Sequence, residues 1–167
     1  MTDILISPEE LATTLDDPRL RLLDASVELA APEFDGDYRV ASGHAGWLAG
    51  HIRGARHADL LVDLAASGAT FSFALPDAQR ALDALQALGI EDGSQIVIYD
   101  GSDGFWAARL WWMLRSLGLD ARVLDGGLRA WIAAGYPLER GDLPAARRGA
   151  LSTPAEYRDG FWIDRRH

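Results

Sequence analysis

A carboxylate stands at the sharpest change of structure in this chain. The apolar run Ile96-Val97-Ile98-Tyr99 reads as a strand, breaks into a loop at Asp100-Gly101-Ser102-Asp103, and gives way to a helical pattern from about Gly104 to Leu117. Where a strand turns tightly into a helix, loop N–H groups and the helix N-terminus point outward together and favour anions. Asp100 sits in that turn. As a nucleophile it would suit phosphoryl transfer, with Asp103 as a second carboxylate for a metal. That chemistry asks for D-x-D spacing and a supporting lysine; the spacing here is D-x-x-D and no lysine lies nearby. The expected role of Asp100 is to bond loop N–H groups and fix the turn.

Three histidines, His44, His51 and His57, are spaced by seven and six. Ligation from one helix is opposed by Gly46, Gly50 and Gly54, so no metal site is expected, and His51 is read as bonding backbone in a tight turn. Gly126-Gly127 lacks the G-x-G-x-x-G pattern of a dinucleotide loop and instead suits a tight turn with close helix–sheet approach. No cofactor is expected. The six tryptophans read as core and seam, because the acidic chain offers no basic groove for stacked bases.

The composition narrows the function further. The 167 residues suffice for one domain with a full core. A formal charge of −9 argues against nucleic-acid and anionic-membrane partners. No cysteine is present, which removes disulfides, thiolate metal sites and persulfide chemistry from this chain. The first residues have no basic region and only a short apolar run, and no window approaches a membrane span, so a cytoplasmic location is expected.

These residues must be positioned by the elements around them. Ser7-Pro8-Glu9-Glu10 opens a helix as a capping box, and Asp16-Asp17-Pro18 ends it. Leu20–Leu23 is a short buried strand. Residues 27–41 read as a long loop, Ser42–Leu48 as weakly helical, and 66–74 as a second irregular loop. Pro76-Asp77 starts a helix with Ala78, Ala81, Leu82, Leu85 and Leu88 on one face, closed by Gly89. After the Asp100 loop, Ala107, Leu110, Trp111, Leu114 and Leu117 are expected to face the sheet, with Arg109 and Ser116 opposite. Phe105, Trp112 and Met113 then form an outward apolar patch, expected to meet another surface. Ala121–Leu124 is a strand, followed by Asp125-Gly126-Gly127 and a helix carrying Leu128, Trp131 and Ile132. From Gly141 the composition shifts to Pro, Ala, Arg and Gly, which predicts a poorly ordered linker or tail over 141–167, with Tyr157, Phe161 and Trp162 as its only packing residues. Strands alternating with helices predict a three-layer α/β/α domain over residues 1–140, with a central, mostly parallel sheet.

Three stretches together resemble a rhodanese-like domain. They are Leu23-Asp24-Ala25 leading to Gly50-His51-Ile52-Arg53-Gly54-Ala55, the strand–loop–helix Ile96–Arg109, and Leu124-Asp125-Gly126-Gly127 with Trp131, Gly135 and Pro137. Tyr99-Asp100-Gly101-Ser102 running into Ala107-Ala108-Arg109-Leu110-Trp111-Trp112 is similar to the N-terminal half of tandem thiosulfate/3-mercaptopyruvate sulfurtransferases. The resemblance implies that Asp100 occupies the position of the family's cysteine and that Asp100, Gly101, Ser102, Asp103, Gly104 and Phe105 are equivalent to the active loop. A carboxylate cannot carry a sulfane sulfur, because sulfur transfer needs a polarisable nucleophile that makes and breaks an S–S bond. The resemblance therefore implies a domain without a catalytic residue, inactive alone, in a family that moves sulfur from thiosulfate or 3-mercaptopyruvate to a thiophilic acceptor such as cyanide. Its expected partner is a second, cysteine-bearing rhodanese domain beyond the tail, or a second copy through Phe105, Trp112 and Met113. The alternative is a stand-alone inactive module that binds a protein or an anion.

Overall fold

A computed structural model of the chain describes residues 3–163. In chain order the elements are β1 (Leu5–Ile6), α1 (Pro8–Thr14), β2 (Leu20–Asp24), β3 (Val27–Leu29), β4 (Val40–Ser42), α2 (His44–Ala49), β5 (Arg56–His57), α3 (Ala78–Ala87), β6 (Gln95–Tyr99), α4 (Phe105–Ser116), β7 (Ala121–Leu124) and α5 (Gly127–Ala133). Five strands form one parallel sheet in the order β1-β7-β6-β2-β5. β3 and β4 form a separate antiparallel pair.

The two faces of the sheet are built by alternation along the central strands. Leu23, Ile96 and Ile98 point to one face, where α3 and α4 cover them with Leu82, Leu85, Leu110 and Leu114. Leu22, Val97 and Tyr99 point to the other, against Leu11 of α1 and Trp131 of α5. A strand buried on both faces needs an apolar residue at every position, so 96–99 reads as an unbroken run. The result is the expected α/β/α arrangement. Helix starts follow the capping residues: Ser7 Oγ accepts from Glu10 N at 3.1 Å, and Asp77 Oδ1 accepts from Arg80 N at 2.9 Å. No helix among the described residues is long and apolar enough to cross a membrane.

The structure departs from the sequence reading in three places. Residues 27–41 are not simply a loop, because Val27–Leu29 pairs with Val40–Ser42. Second, the stretch after Gly141 packs on the domain through more than Tyr157, Phe161 and Trp162. It returns as an extended strap across α3 and α4, held by backbone bonds together with side-chain bonds and apolar packing. Gly149 N donates to Gln86 O at 2.9 Å, Asp92 N to Ala150 O at 3.0 Å, and Arg158 N to Ser116 O at 2.7 Å. A Cβ on Gly149 would lie 2.0 Å from Ile90 O, so only glycine allows this approach. Tyr157 and Trp162 add to this by donating to Pro76 O and Ser116 Oγ, both at 2.9 Å. Residues 164–167 lie outside the described residues.

The third departure follows from the second. Ala107, Leu110, Leu114 and Leu117 are buried as expected, and Trp111 is half-buried with its indole donating to Ala121 O. Met113, expected in the outward patch, is 0% exposed, and Ser116 on the expected polar side is also buried. The strap crosses that side of α4, so much of the helix has no solvent face there. Arg109 is held between the rings of Phe73 and Trp162 and donates to Phe73 O. Of the expected patch, Phe105 at 72% and Trp112 at 40% remain exposed.

Candidate functional site

The end of β6 places Asp100 at the C-terminal edge of the sheet, between α4 and the start of α5. Its backbone is fixed from the α5 side: Leu128 N donates to Asp100 O at 3.0 Å. A Cβ on Gly127, whose φ is +60°, would lie 2.8 Å from the same oxygen, so glycine is what lets α5 come this close.

The Asp100 side chain is only 1% exposed as a residue, yet it is fully engaged. Its Oδ1 accepts from Ser102 N at 2.9 Å and Gly104 N at 3.1 Å. Its Oδ2 accepts from Trp106 N at 3.1 Å and Ala107 N at 3.0 Å. Four N–H groups of the loop and the first turn of α4 thus converge on one carboxylate, which also sits favourably at the positive end of the helix. The groups that would cradle an external anion hold the chain's own anion instead.

A second layer fixes the loop from β2. Gly101 N donates to Ser26 Oγ at 2.9 Å, and Ser26 N donates to Asp24 Oδ1 at 2.8 Å. Burial pushes the Asp24 carboxyl above the usual carboxylate range, against the opposing pull of its bonds to Ser26 and of the His57 charge. Tyr99 reaches the opposite face, where its hydroxyl accepts from Ile52 N at 3.1 Å; burial and the nearby Asp24 charge push its pKa up. Asp24 and Ser26 were not singled out as site residues from sequence. Their signal is the position of Asp24-Ala25-Ser26 at the end of the strand beside β6.

The remaining loop residues have other tasks. Asp103 is exposed and pairs with Arg129 at 3.0 Å, both lining a groove of about 340 Å3 together with Asp100, Ser102 and Asp125. Phe105 begins α4 and projects into solvent. Trp106 turns back and stacks on Phe73 with ring centroids 4.9 Å apart. The loop presents no thiol, and the Asp100 carboxylate has both oxygens engaged by backbone N–H groups.

The three histidines cluster around the ring of Trp47. His51 stacks on its ring at 4.7 Å, with His44 at 5.3 Å and His57 at 6.4 Å. His51 Nδ1 lies 2.8 Å from Trp47 O, and the His51 backbone exchanges bonds with Glu139 at 2.9 and 2.8 Å. His57 Nε2 lies 3.2 Å from Ser26 O. Among the described residues no group of three or more His, Asp or Glu is arranged to hold a metal ion.

Known proteins share this arrangement of sheet and helices. The model of the family described as "Rhodanese-like domain" matches residues 7–134. A probable 3-mercaptopyruvate sulfurtransferase of Pseudomonas aeruginosa is 40% identical over 143 residues, covering 83% of this chain and 48% of that protein. Thiosulfate/3-mercaptopyruvate sulfurtransferase 2 of Arabidopsis thaliana is 37% identical over 138 residues, covering 81% of this chain and 37% of its own length. The chain therefore spans less than half the length of these two curated relatives. A solved 3-mercaptopyruvate sulfotransferase of Escherichia coli superimposes with a TM-score of 0.77 at 28% identity, covering 95% of this chain and 57% of the other. The family match spans both halves of the sheet and the Asp100 loop between them, and the chain belongs to the rhodanese-like domain family, with homology to 3-mercaptopyruvate sulfurtransferases.

Proposed function

We propose that this chain is the non-catalytic, N-terminal type of rhodanese-like domain of a sulfurtransferase, inactive by itself. The reaction it serves moves sulfur from 3-mercaptopyruvate or thiosulfate to a thiophilic acceptor such as cyanide, with the nucleophilic cysteine supplied by a second rhodanese domain. One observation carries the reading. At the strand end where this chemistry needs a polarisable sulfur, the side chain is a carboxylate whose two oxygens take four backbone N–H groups. The resemblance to the N-terminal half of tandem sulfurtransferases supports it, as does a coverage below half of the two curated relatives named above. A cytoplasmic setting is part of the proposal and rests on the sequence.

Purified chain assayed with thiosulfate and cyanide is expected to give no thiocyanate above blank. Turnover that disappears in Asp100→Ala would overturn the proposal. The second reading, a stand-alone module that binds a protein or an anion or pairs with its own copy, is favoured by Phe105 and Trp112, both exposed at the start and middle of α4. Sequencing the native transcript past His167 separates the two, because only the first requires a cysteine-bearing domain in the same frame. Phe105→Ser with Trp112→Ala is then expected to abolish any self-association seen by sedimentation; an unchanged sedimentation profile would exclude this surface.

A further inference from the structure

The chain contains no lysine, and its sixteen basic side chains are all arginine. Several are paired with a carboxylate, as in Arg19 with Asp17, Arg53 with Asp16, Arg122 with Glu10 and Arg148 with Asp83. Arg21, Arg56 and Arg147 are arranged differently. They line one groove of about 260 Å3 in which Glu91 is the single carboxylate, beside Gly54, Gly89 and Ala146. The groove lies toward the N-terminal ends of β2 and β5, at the opposite end of the sheet from Asp100.

Each arginine has a distinct state. Arg21 is committed to the fold: it donates to Gly89 O at 2.7 Å, Pro18 O at 2.8 Å, Leu20 O at 3.0 Å and Glu91 Oε1 at 3.1 Å. Arg147 lies 3.4 Å from the other Glu91 oxygen, and its side chain is 88% exposed. Arg56 donates one N–H to Pro144 O at 2.7 Å. A guanidinium carries five N–H donors, so Arg56 and Arg147 keep donors for a ligand. Glu91, shared by Arg21 and Arg147, orients two cations while neutralising one charge. Burial and the Arg21 charge both lower the Arg56 pKa, and the Asp142 charge acts in the opposite sense. The lining carries a net charge of +2 in a chain whose total is −9. Concentrated like charge in a concave, half-desolvated place is costly unless an anion relieves it. Forked guanidinium groups match the oxygen edges of a tetrahedral oxyanion.

We propose that this groove binds a small tetrahedral oxyanion, free or as the phosphate or sulfonate end of a small metabolite, through Arg56 and Arg147. The site is separate from the Asp100 loop and does not depend on the sulfurtransferase reading.

The test is an amide-shift titration of the full chain with sodium phosphate, sodium sulfate and glycerol phosphate, at ionic strength held constant with sodium chloride. Saturable shifts are expected at Gly54, Gly89 and Ala146. Loss of one charge-assisted contact predicts about tenfold weaker binding in Arg147→Ala and in Arg56→Gln. Arg19→Ala is expected to bind as the parent chain does. Saturation by inorganic phosphate or sulfate identifies the free ion as sufficient, and saturation by glycerol phosphate alone identifies the end group of a larger molecule. Shifts reproduced by chloride, or unchanged in Arg147→Ala, would overturn the proposal; because that side chain is exposed, the outcome does not hinge on folding.

Discussion

Replacing Asp100 by alanine removes the acceptor for four N–H groups in one step, and the size of the loss follows from where those groups lie. Ala107 N is buried, so an unpaired N–H there costs about 1–3 kcal/mol. Ser102, Gly104 and Trp106 donate from partly buried positions that water can enter, and each loses about 0.5–1 kcal/mol. Removing the negative charge from the start of α4 adds about 0.3–1 kcal/mol. Hydration of the vacated space offsets part of this sum, leaving an expected destabilisation of about 2–5 kcal/mol, a large fraction of a typical domain's stability. Asp100→Asn should recover about half at most, because its amide NH2 faces two donors that an oxygen faced before. Urea unfolding followed by tryptophan fluorescence measures both variants, and an unchanged m-value would show that the same surface is exposed on unfolding. A loss below about 1 kcal/mol for Asp100→Ala would refute the reasoning, since even the buried donor would then have found another partner.

Three further outcomes are expected. Gly149→Ala should lift the strap from α3, because its Cβ would meet Ile90 O; about 2 kcal/mol of stability and new cleavage within 141–163 under limited proteolysis would register this, and unaltered cleavage would contradict it. Ser26→Ala should cost about 1 kcal/mol by leaving Gly101 N without its acceptor, and a hydrogen-exchange rate at Gly101 equal to the parent's would argue otherwise. Asp24 has a folded pKa raised above its ordinary value of 3.8, so the native state holds that proton more tightly than the unfolded chain does. Its contribution is fully present below the unfolded value and is lost as pH rises through the folded one. Stability of the parent relative to Asp24→Asn should therefore fall as pH is raised above about 4, and parallel curves would exclude the effect.

What the sequence disclosed depended on burial. β2 and β6 were readable because both their faces are covered, which forces continuous apolar runs such as Ile96–Tyr99. The β3–β4 hairpin was not, because residues such as Leu29, Phe34 and Tyr38 stay exposed and leave no alternation to read. The strap escaped for a different reason. Its hold is spread over backbone bonds, a glycine contact and isolated side chains such as Tyr157 and Trp162, which together leave no periodic hydrophobic pattern. Met113 shows the limit of helical periodicity: the angle around α4 gives a direction, but not which distant segment lies there. The Asp100 turn was legible from its residue types, whereas its support by Ser26 joins residues 75 positions apart and emerges only in the fold.

The strand order also sets a timetable for the chain as it is made. β1 pairs with nothing near it in sequence; Leu5 lies beside Val123, roughly 120 positions later. Until that stretch leaves the ribosome, on the order of 10 s at ordinary synthesis rates, the first strand has no partner. β2 can meet β6 sooner, and β7 then completes the edge that β1 requires. Closing so long a loop makes β1 docking a late, entropically costly event. A nascent chain stalled before β7 would expose Ile4, Leu5 and Ile6 together, a short sticky segment for chaperones to shield and one whose final pairing completes the sheet.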